Sequence, residues 1–327
     1  LVHGGLVDAN GNRFVPRIPV AFTSYDIGSD LASRYDAAVR NHRALPAVSL
    51  DIQSVHNADA DGYNVIADSP TGDPRHVLVV DAHLDAIYGA GMLDNASGSV
   101  TILDIAHMIA KVHPRNRLRF IWFGAEELGL FGSQAYVGSL PPRRLSQIGY
   151  DLDADVTATP NYDIGILDPA AVDFFGRTVS TRFPAGVYAP SKTARDQAID
   201  YFHSQGMNHM LFSPVGTDAF TFNEAGIPAS GVLTGQDCCK TQREVGLFGG
   251  YPGNYEGRVP GTDGGCVDNP FRWCDNLGNN DPAVLTFMSR GFAQMVAHMA
   301  FADLATPQTT VQPPLAAPLK QVQGWVE

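Results

Sequence analysis

Residues 76–86 read HVLVVDAHLDA: the apolar residues Val77 to Val80 stand together, and the stretch closes on His83 and Asp85. A short unbroken apolar run is the signature of a strand covered on both faces, as in a parallel sheet. Outward from it the sequence changes period. ASGSVTILDIAHMIAKV, residues 96–112, places Val100, Leu103, Ile105, Met108, Ile109 and Val112 close to a 3.6-residue repeat, which predicts a helix laying that face on the sheet. LRFIWFGAEE, residues 118–127, is a second buried strand. Further strands are expected at GYNVIAD (62–68), IGYDLDADV (148–156), YDIGILD (162–168) and ASGVLTG (229–235). Strand, helix and strand in alternation make an α/β domain.

The flanks differ from this core. RIPVAFTSY (17–25) and LPAVSLDIQ (45–53) read as short β-type runs around a helical piece, DLASRYDAAVRNH (30–42). Between residues 235 and 282 the chain turns Gly-, Asn- and Asp-rich, a long irregular segment expected to border a functional site. DPAVLTFMSRGFAQMVAHMAFADL, residues 281–304, reads as a final helix with Pro282 in its first turn. A Pro-rich tail follows, giving expected divisions at 1–56, 57–305 and 306–327.

Composition narrows the function. The chain has 327 residues, 44% of them apolar, and a formal net charge of −12, which disfavours nucleic acid and anionic lipid as partners. Its apolar runs are strand-sized, too short to span a membrane. Residue 1 is Leu rather than Met, which decides nothing about an export signal. Cys238, Cys239, Cys266 and Cys274 lack the paired spacing of a structural zinc site. Cys266 with Cys274 reads as a loop-closing disulfide, pointing to an oxidising compartment and a secreted protein. Cys238 and Cys239 either bridge each other or stay reduced.

Residues able to hold a metal gather at strand ends. His83 and Asp85 close one strand, Asp94 lies in the GMLDNASG loop, and Glu126 with Glu127 closes another. Ligand sites of open α/β sheets lie at that edge. Zinc takes imidazole and carboxylate ligands, and hydrolysis needs a further carboxylate to take a proton from the attacking water. Two adjacent glutamates can divide those tasks. Taken singly, each is more simply a strand-end or turn residue; their conjunction carries the reading.

The segments AHLDA, GMLDNASGS, GAEELGLFGS, YDLDADVTATPN, EAGIPASGVLTG and CDNLGNND stand in an order that resembles the co-catalytic di-zinc aminopeptidases, the secreted bacterial leucine aminopeptidase type. The resemblance runs over about residues 62–300 and implies a three-layer α/β/α fold with a central mixed, mostly parallel twisted sheet. It implies His83 as a zinc ligand, Asp85 as the carboxylate orienting its ring and Asp94 as the bridging ligand, with a cis peptide bond to Asn95. Glu126 becomes the general base, Glu127 a ligand of the second zinc and Asp155, rather than Asp153, the remaining carboxylate ligand. Asp218 becomes a supporting residue. Residues 13–54 resemble the C-terminal half of a protease-associated domain whose first half is missing, so either maturation removed it or the sequence is a fragment.

One departure matters. The family draws its last histidine ligand from a Tyr-His pair before a Cys-Asp step, where this chain reads CVDNPFRWCDNLGNND (266–281), with no histidine between His209 and His298. Counting from Cys266 puts Asp268 at the ligand position and Val267 at the tyrosine; counting back from Cys274 reaches Phe271. Asp268 is then either a substitute carboxylate ligand or a turn residue. Two functions stay open: an exopeptidase that removes N-terminal residues from peptides, with one zinc or two, and a pseudo-peptidase that keeps the fold and works by binding or self-assembly. Glutaminyl-cyclase-like acyl transfer is disfavoured, because it needs the site altered here.

Overall fold

The computed structural model describes residues 6–7, 13–14, 25–49, 51, 61–87, 90–172, 183–236, 240–256 and 275–304. Internal contacts divide the chain into two units, residues 1–60 and 61–327. In the first, β1 (Leu6–Val7) pairs antiparallel with β2 (Arg13–Phe14), and α1 spans Tyr25–Arg40. The helix starts earlier than the sequence reading placed it, and residues 45–49 form no strand. Pro46 has no N–H to give a strand ladder.

The second unit is built on a seven-stranded sheet in the order β3-β5-β4-β6-β9-β7-β8. Its strands are β3 (Val65–Asp68), β4 (Asp73–His83), β5 (Asn116–Phe123), β6 (Ile148–Ala154), β7 (Gly165–Leu167), β8 (Met210–Phe212) and β9 (Ala229–Leu233). β5, β4, β6 and β9 run parallel, β7 pairs parallel with β8, and β3 and β7 enter their other pairings antiparallel. This is the mixed, mostly parallel sheet expected.

Helices cover both faces. Leu78, Val80, Ala82, Phe120, Trp122 and Leu152 point into a core shared with α2 (Ala96–Ile109), α5 (Tyr188–Ser204) and α8 (Pro282–Phe301). Val77, Val79, Ile121, Phe123 and Ile148 face α3 (Phe131–Ser139), α4 (Pro142–Leu145) and α6 (Ala219–Glu224). Successive residues of one strand thus enter opposite cores, which is why the run Val77 to Val80 is apolar throughout. Each fully buried Val or Leu contributes about 1.5–3 kcal/mol.

Two expectations need correction. In α2 the buried face is Ser97, Gly98, Thr101, Ile102, Ile105 and Ile109, whereas Val100, Leu103, Met108 and Val112 are exposed. The small residues decide its orientation: a Cβ on Gly98 would stand 2.0 Å from the Ala154 carbonyl oxygen, so only this face comes close enough to β6. The segment 235–282 is not wholly irregular, since it contains α7 (Gln242–Phe248). That helix starts at a capping box in which Thr241 and Glu244 satisfy each other's backbone N–H groups.

Connections around β4 fix where a ligand site belongs. The chain leaves β4 through α2 to reach β5 on one side, then returns through α3 and α4 to β6 on the other. The strand order reverses there, and the crevice lies beyond the carboxyl ends of the strands. His83 is in register with Phe123, and Asp81 with Asp153, so the ends of β4, β5 and β6 are level.

Candidate metal centre

His83 is the last residue of β4 and 3% exposed. Its Nδ1 lies 3.0 Å from the backbone carbonyl of Asp85, and Ser99 Oγ donates to its own carbonyl at 2.8 Å. A proton on Nδ1 turns the Nε2 lone pair toward Asp94 Oδ1 at 2.9 Å, Asp155 Oδ1 at 3.3 Å and Glu126 Oε2 at 4.0 Å. Those electron-rich atoms face one another, and neither aspartate oxygen accepts a hydrogen bond. Such an arrangement is stable only around a positive charge, either a proton or a metal ion.

Each member is held from outside. Asp94 and Leu93 donate their backbone N–H groups to Asp275 Oδ1 at 3.2 and 2.6 Å. The Asp94–Asn95 peptide bond is cis. Asn95 ties the next element in: its Oδ1 accepts from Gly98 N, capping α2, and from Val156 N, while its Nδ2 donates to the Ala154 carbonyl. This places Asp155 between two fixed neighbours. Val156 takes a φ of +49° and Ala125 a φ of +57°, left-handed values that β-branched and other non-glycine residues adopt at a cost of about 1–3 kcal/mol. Both adjoin members of the site.

Asp85 has a second task beside the ring of His83. Its carboxylate lies 3.7 Å from His83 Nδ1 and its backbone carbonyl 3.0 Å, so both groups of the residue face that nitrogen. The carboxylate also accepts the N–H of Glu126 at 2.9 Å and of Glu127 at 3.1 Å, hanging both glutamates from one group. Burial pushes the Asp85 carboxyl up, but the hydrogen bonds to His83 and these N–H groups outweigh it and hold it low.

Electrostatics shows how strongly the centre seeks positive charge. Burial, with the charge of Asp94, pushes the Glu127 carboxyl up to about 9. Burial raises Glu126 well above the carboxylate range, with Asp218, Asp155 and Glu127 adding to it, and raises Asp94 too. Burial alone would lower the His83 imidazole, but Asp155, Asp85 and Asp94 overcome it and raise it well above its ordinary value. One ligand atom each from His83, Asp94 and Glu127 lie within 4.8 Å of one another. An imidazole gathered with carboxylates is a donor set that suits zinc. The residues present fit a divalent metal.

Behind this cluster lies a second set of acids, in which Asp81 and Asp151 join Asp153 and Asp218, the two that the sequence reading had named. Asp81, Asp151, Asp153 and Asp218 are each at most 2% exposed. Burial first, then mutual repulsion, raises Asp81 and Asp151 well above the carboxylate range, Asp153 to about 7 and Asp218 to about 8. Asp153 Oδ2 accepts the Ala219 N–H at 3.2 Å. The signal was present in the alternation Asp151, Asp153, Asp155, which puts all of them on one face of a strand. Asp275 was likewise given no role, although its Cys-Asp step was noted. Asp268, Val267, Phe271 and the four cysteines lie outside the described residues.

A model of peptidase family M28 matches residues 64–259. The chain belongs to that family. It is 32% identical over 247 residues to an aminopeptidase of Pseudomonas aeruginosa, covering 74% of this chain and 42% of that protein. With leupeptin-inactivating enzyme 1 of Streptomyces exfoliatus it shares 34% over 240 residues, 71% of this chain and 48% of the relative. Among solved M28-like folds, BSAP, a zinc aminopeptidase from Bacillus subtilis, superposes with a TM-score of 0.52 at 18% identity, over 77% of this chain and 53% of the other. The chain spans about half the length of the curated relatives it matches.

Proposed function

We propose that this member of family M28 is a zinc-dependent aminopeptidase-type hydrolase that removes N-terminal residues from peptides and proteins. The observation that carries the reading is the gathering of ligand atoms from His83, Asp94 and Glu127 within 4.8 Å of one another, with Glu126 Oε2 4.0 Å from His83 Nε2. His83, Asp94 and Asp155 would hold one ion, and Asp94 with Glu127 a second. Asp268 is the candidate to complete the second set. A bound zinc supplies Lewis acidity toward the scissile carbonyl. Glu126 takes the proton of the attacking water and returns it to the leaving amine. Burial raises the proton affinity of Glu126, the direction that favours holding the proton it takes. The Asp85 carboxylate keeps Glu126 in place by accepting the Glu126 backbone N–H.

The cysteine pattern supports a secreted protein, and residues 1–56 support a partial protease-associated-like segment by resemblance alone. A second reading, a pseudo-peptidase that binds or self-assembles, is favoured by one observation: no histidine stands between His209 and His298 to serve as the family's last ligand.

Metal analysis combined with turnover of a leucine anilide separates the two. An active enzyme carries zinc, loses turnover to a chelator, and in Glu126→Gln loses about a hundredfold or more of kcat with zinc content unchanged. Turnover that survives that substitution removes Glu126 as the base. A metal-replete protein without turnover establishes the second reading.

A further inference from the structure

At the opposite end of the sheet from the metal centre, beside the starts of β4, β5 and β6, lies a cavity of about 320 Å³. It is walled by Pro74, Val77, Leu140 and Ile148. Arg117, Arg119 and Arg144 also line it, against a single acid, Asp68. In a chain of net charge −12, three arginines around one hollow form a local reversal of sign.

The arginines are not equally engaged. Arg119 is committed: its guanidinium forks onto Asp68 at 2.7 and 2.8 Å and donates to Tyr136 Oη at 3.1 Å. Asp68 is thereby neutralised. Arg117 makes one long contact to the Gly72 carbonyl, 3.4 Å, and its buried Nε has no acceptor. Arg144 has one contact at the limit of hydrogen bonding, 3.5 Å to Gln147 Oε1. A buried guanidinium N–H without an acceptor is costly unless a ligand supplies one.

We propose that this cavity is a binding site for a small carboxylate with an aliphatic body, separate from the metal centre. The carboxylate oxygens accept from Arg117 and Arg144, whose planar forks match that geometry. The aliphatic part lies on Pro74, Val77, Leu140 and Ile148, burying apolar surface that a bare oxyanion would leave open.

The test is titration calorimetry of the full metal-loaded chain with hexanoate, acetate and inorganic phosphate. Hexanoate is expected to bind more tightly than the other two, and its affinity to fall about tenfold or more in Arg117→Gln and in Arg144→Gln. Unchanged hexanoate affinity in both variants places the carboxylate elsewhere, such as the metal centre, and overturns the proposal. Phosphate binding as tightly as hexanoate overturns the ligand class. Should Arg117→Gln fail to fold, methyl NMR of the wild-type chain decides: hexanoate must shift the Val77, Leu140 and Ile148 methyl signals, and their indifference overturns the site.

Discussion

At the scale of single residues, Asp275 governs the centre without belonging to it. One oxygen of its carboxylate holds the backbone N–H groups of Leu93 and Asp94, the two residues that aim the Asp94 carboxylate. Asp275→Ala leaves two buried donors without an acceptor and frees the loop. Zinc affinity should fall about 10- to 100-fold, as for other groups that orient a ligand. Asp275→Asn, which keeps an accepting oxygen, should recover most of it. Competition with a chelating dye measures both, and equal affinity in wild type and Asp275→Ala would remove this role. The ligands themselves were legible in the sequence because imidazole and carboxylates stand at ends of recognisable strands. Asp275 was not, because nothing local distinguishes an aspartate that holds a distant backbone from one that caps a turn.

At the scale of elements, the contact between α2 and β6 sets the geometry. Gly98 lies so close to the strand that an added Cβ would stand 2.0 Å from the Ala154 carbonyl oxygen and 2.3 Å from Asn95 Oδ1. Gly98→Ala must push the helix off the sheet and break the Asn95 bridge that positions Asp155. Destabilisation of about 1–3 kcal/mol or more is expected, with zinc affinity lost alongside. Chemical denaturation and metal analysis of the same variant read the two effects, and a variant with wild-type stability would show that the layers have slack. The existence of α2 was plain from its apolar content, but its orientation was not. Apolar residues stand on both faces, Val100, Leu103 and Met108 outside and Ile102, Ile105 and Ile109 inside, and Ser97, Gly98 and Thr101 settle the choice through close approach. Period reports that a helix is amphipathic; it says less about which face a neighbour can reach.

At the scale of the whole molecule, buried carboxyls make stability depend on pH. Asp163 lies away from the metal centre, and burial, with the charge of Glu244, pushes its carboxyl up to about 7. In the unfolded chain an aspartate titrates near 3.9. Between about pH 4 and pH 7 the folded state therefore keeps a proton that the unfolded state has lost, and stability falls as pH rises across that window. Each such group contributes a slope of up to about 1.4 kcal/mol per pH unit. Urea unfolding at pH 5 and pH 7 should show wild type losing stability upward, with Asp163→Asn reducing the loss by about 2–3 kcal/mol. An identical pH profile in the variant would mean that Asp163 ionises freely when folded. The alternation of strands and helices was legible from their periods, the layered sheet was implied by the resemblance, and the strand order was not read from the sequence. Nor were the inward acids, because a strand face lined with Asp151 and Asp153 reads as solvent-facing until the layer over it is seen.

The carboxylate of Asp85 suspends Glu126 and Glu127 by their adjacent main-chain amides, so the two side chains share one anchor. The roots of proton acceptor and ion holder are thus fixed by a single carboxylate, so whatever displaces one main-chain amide displaces the other with it.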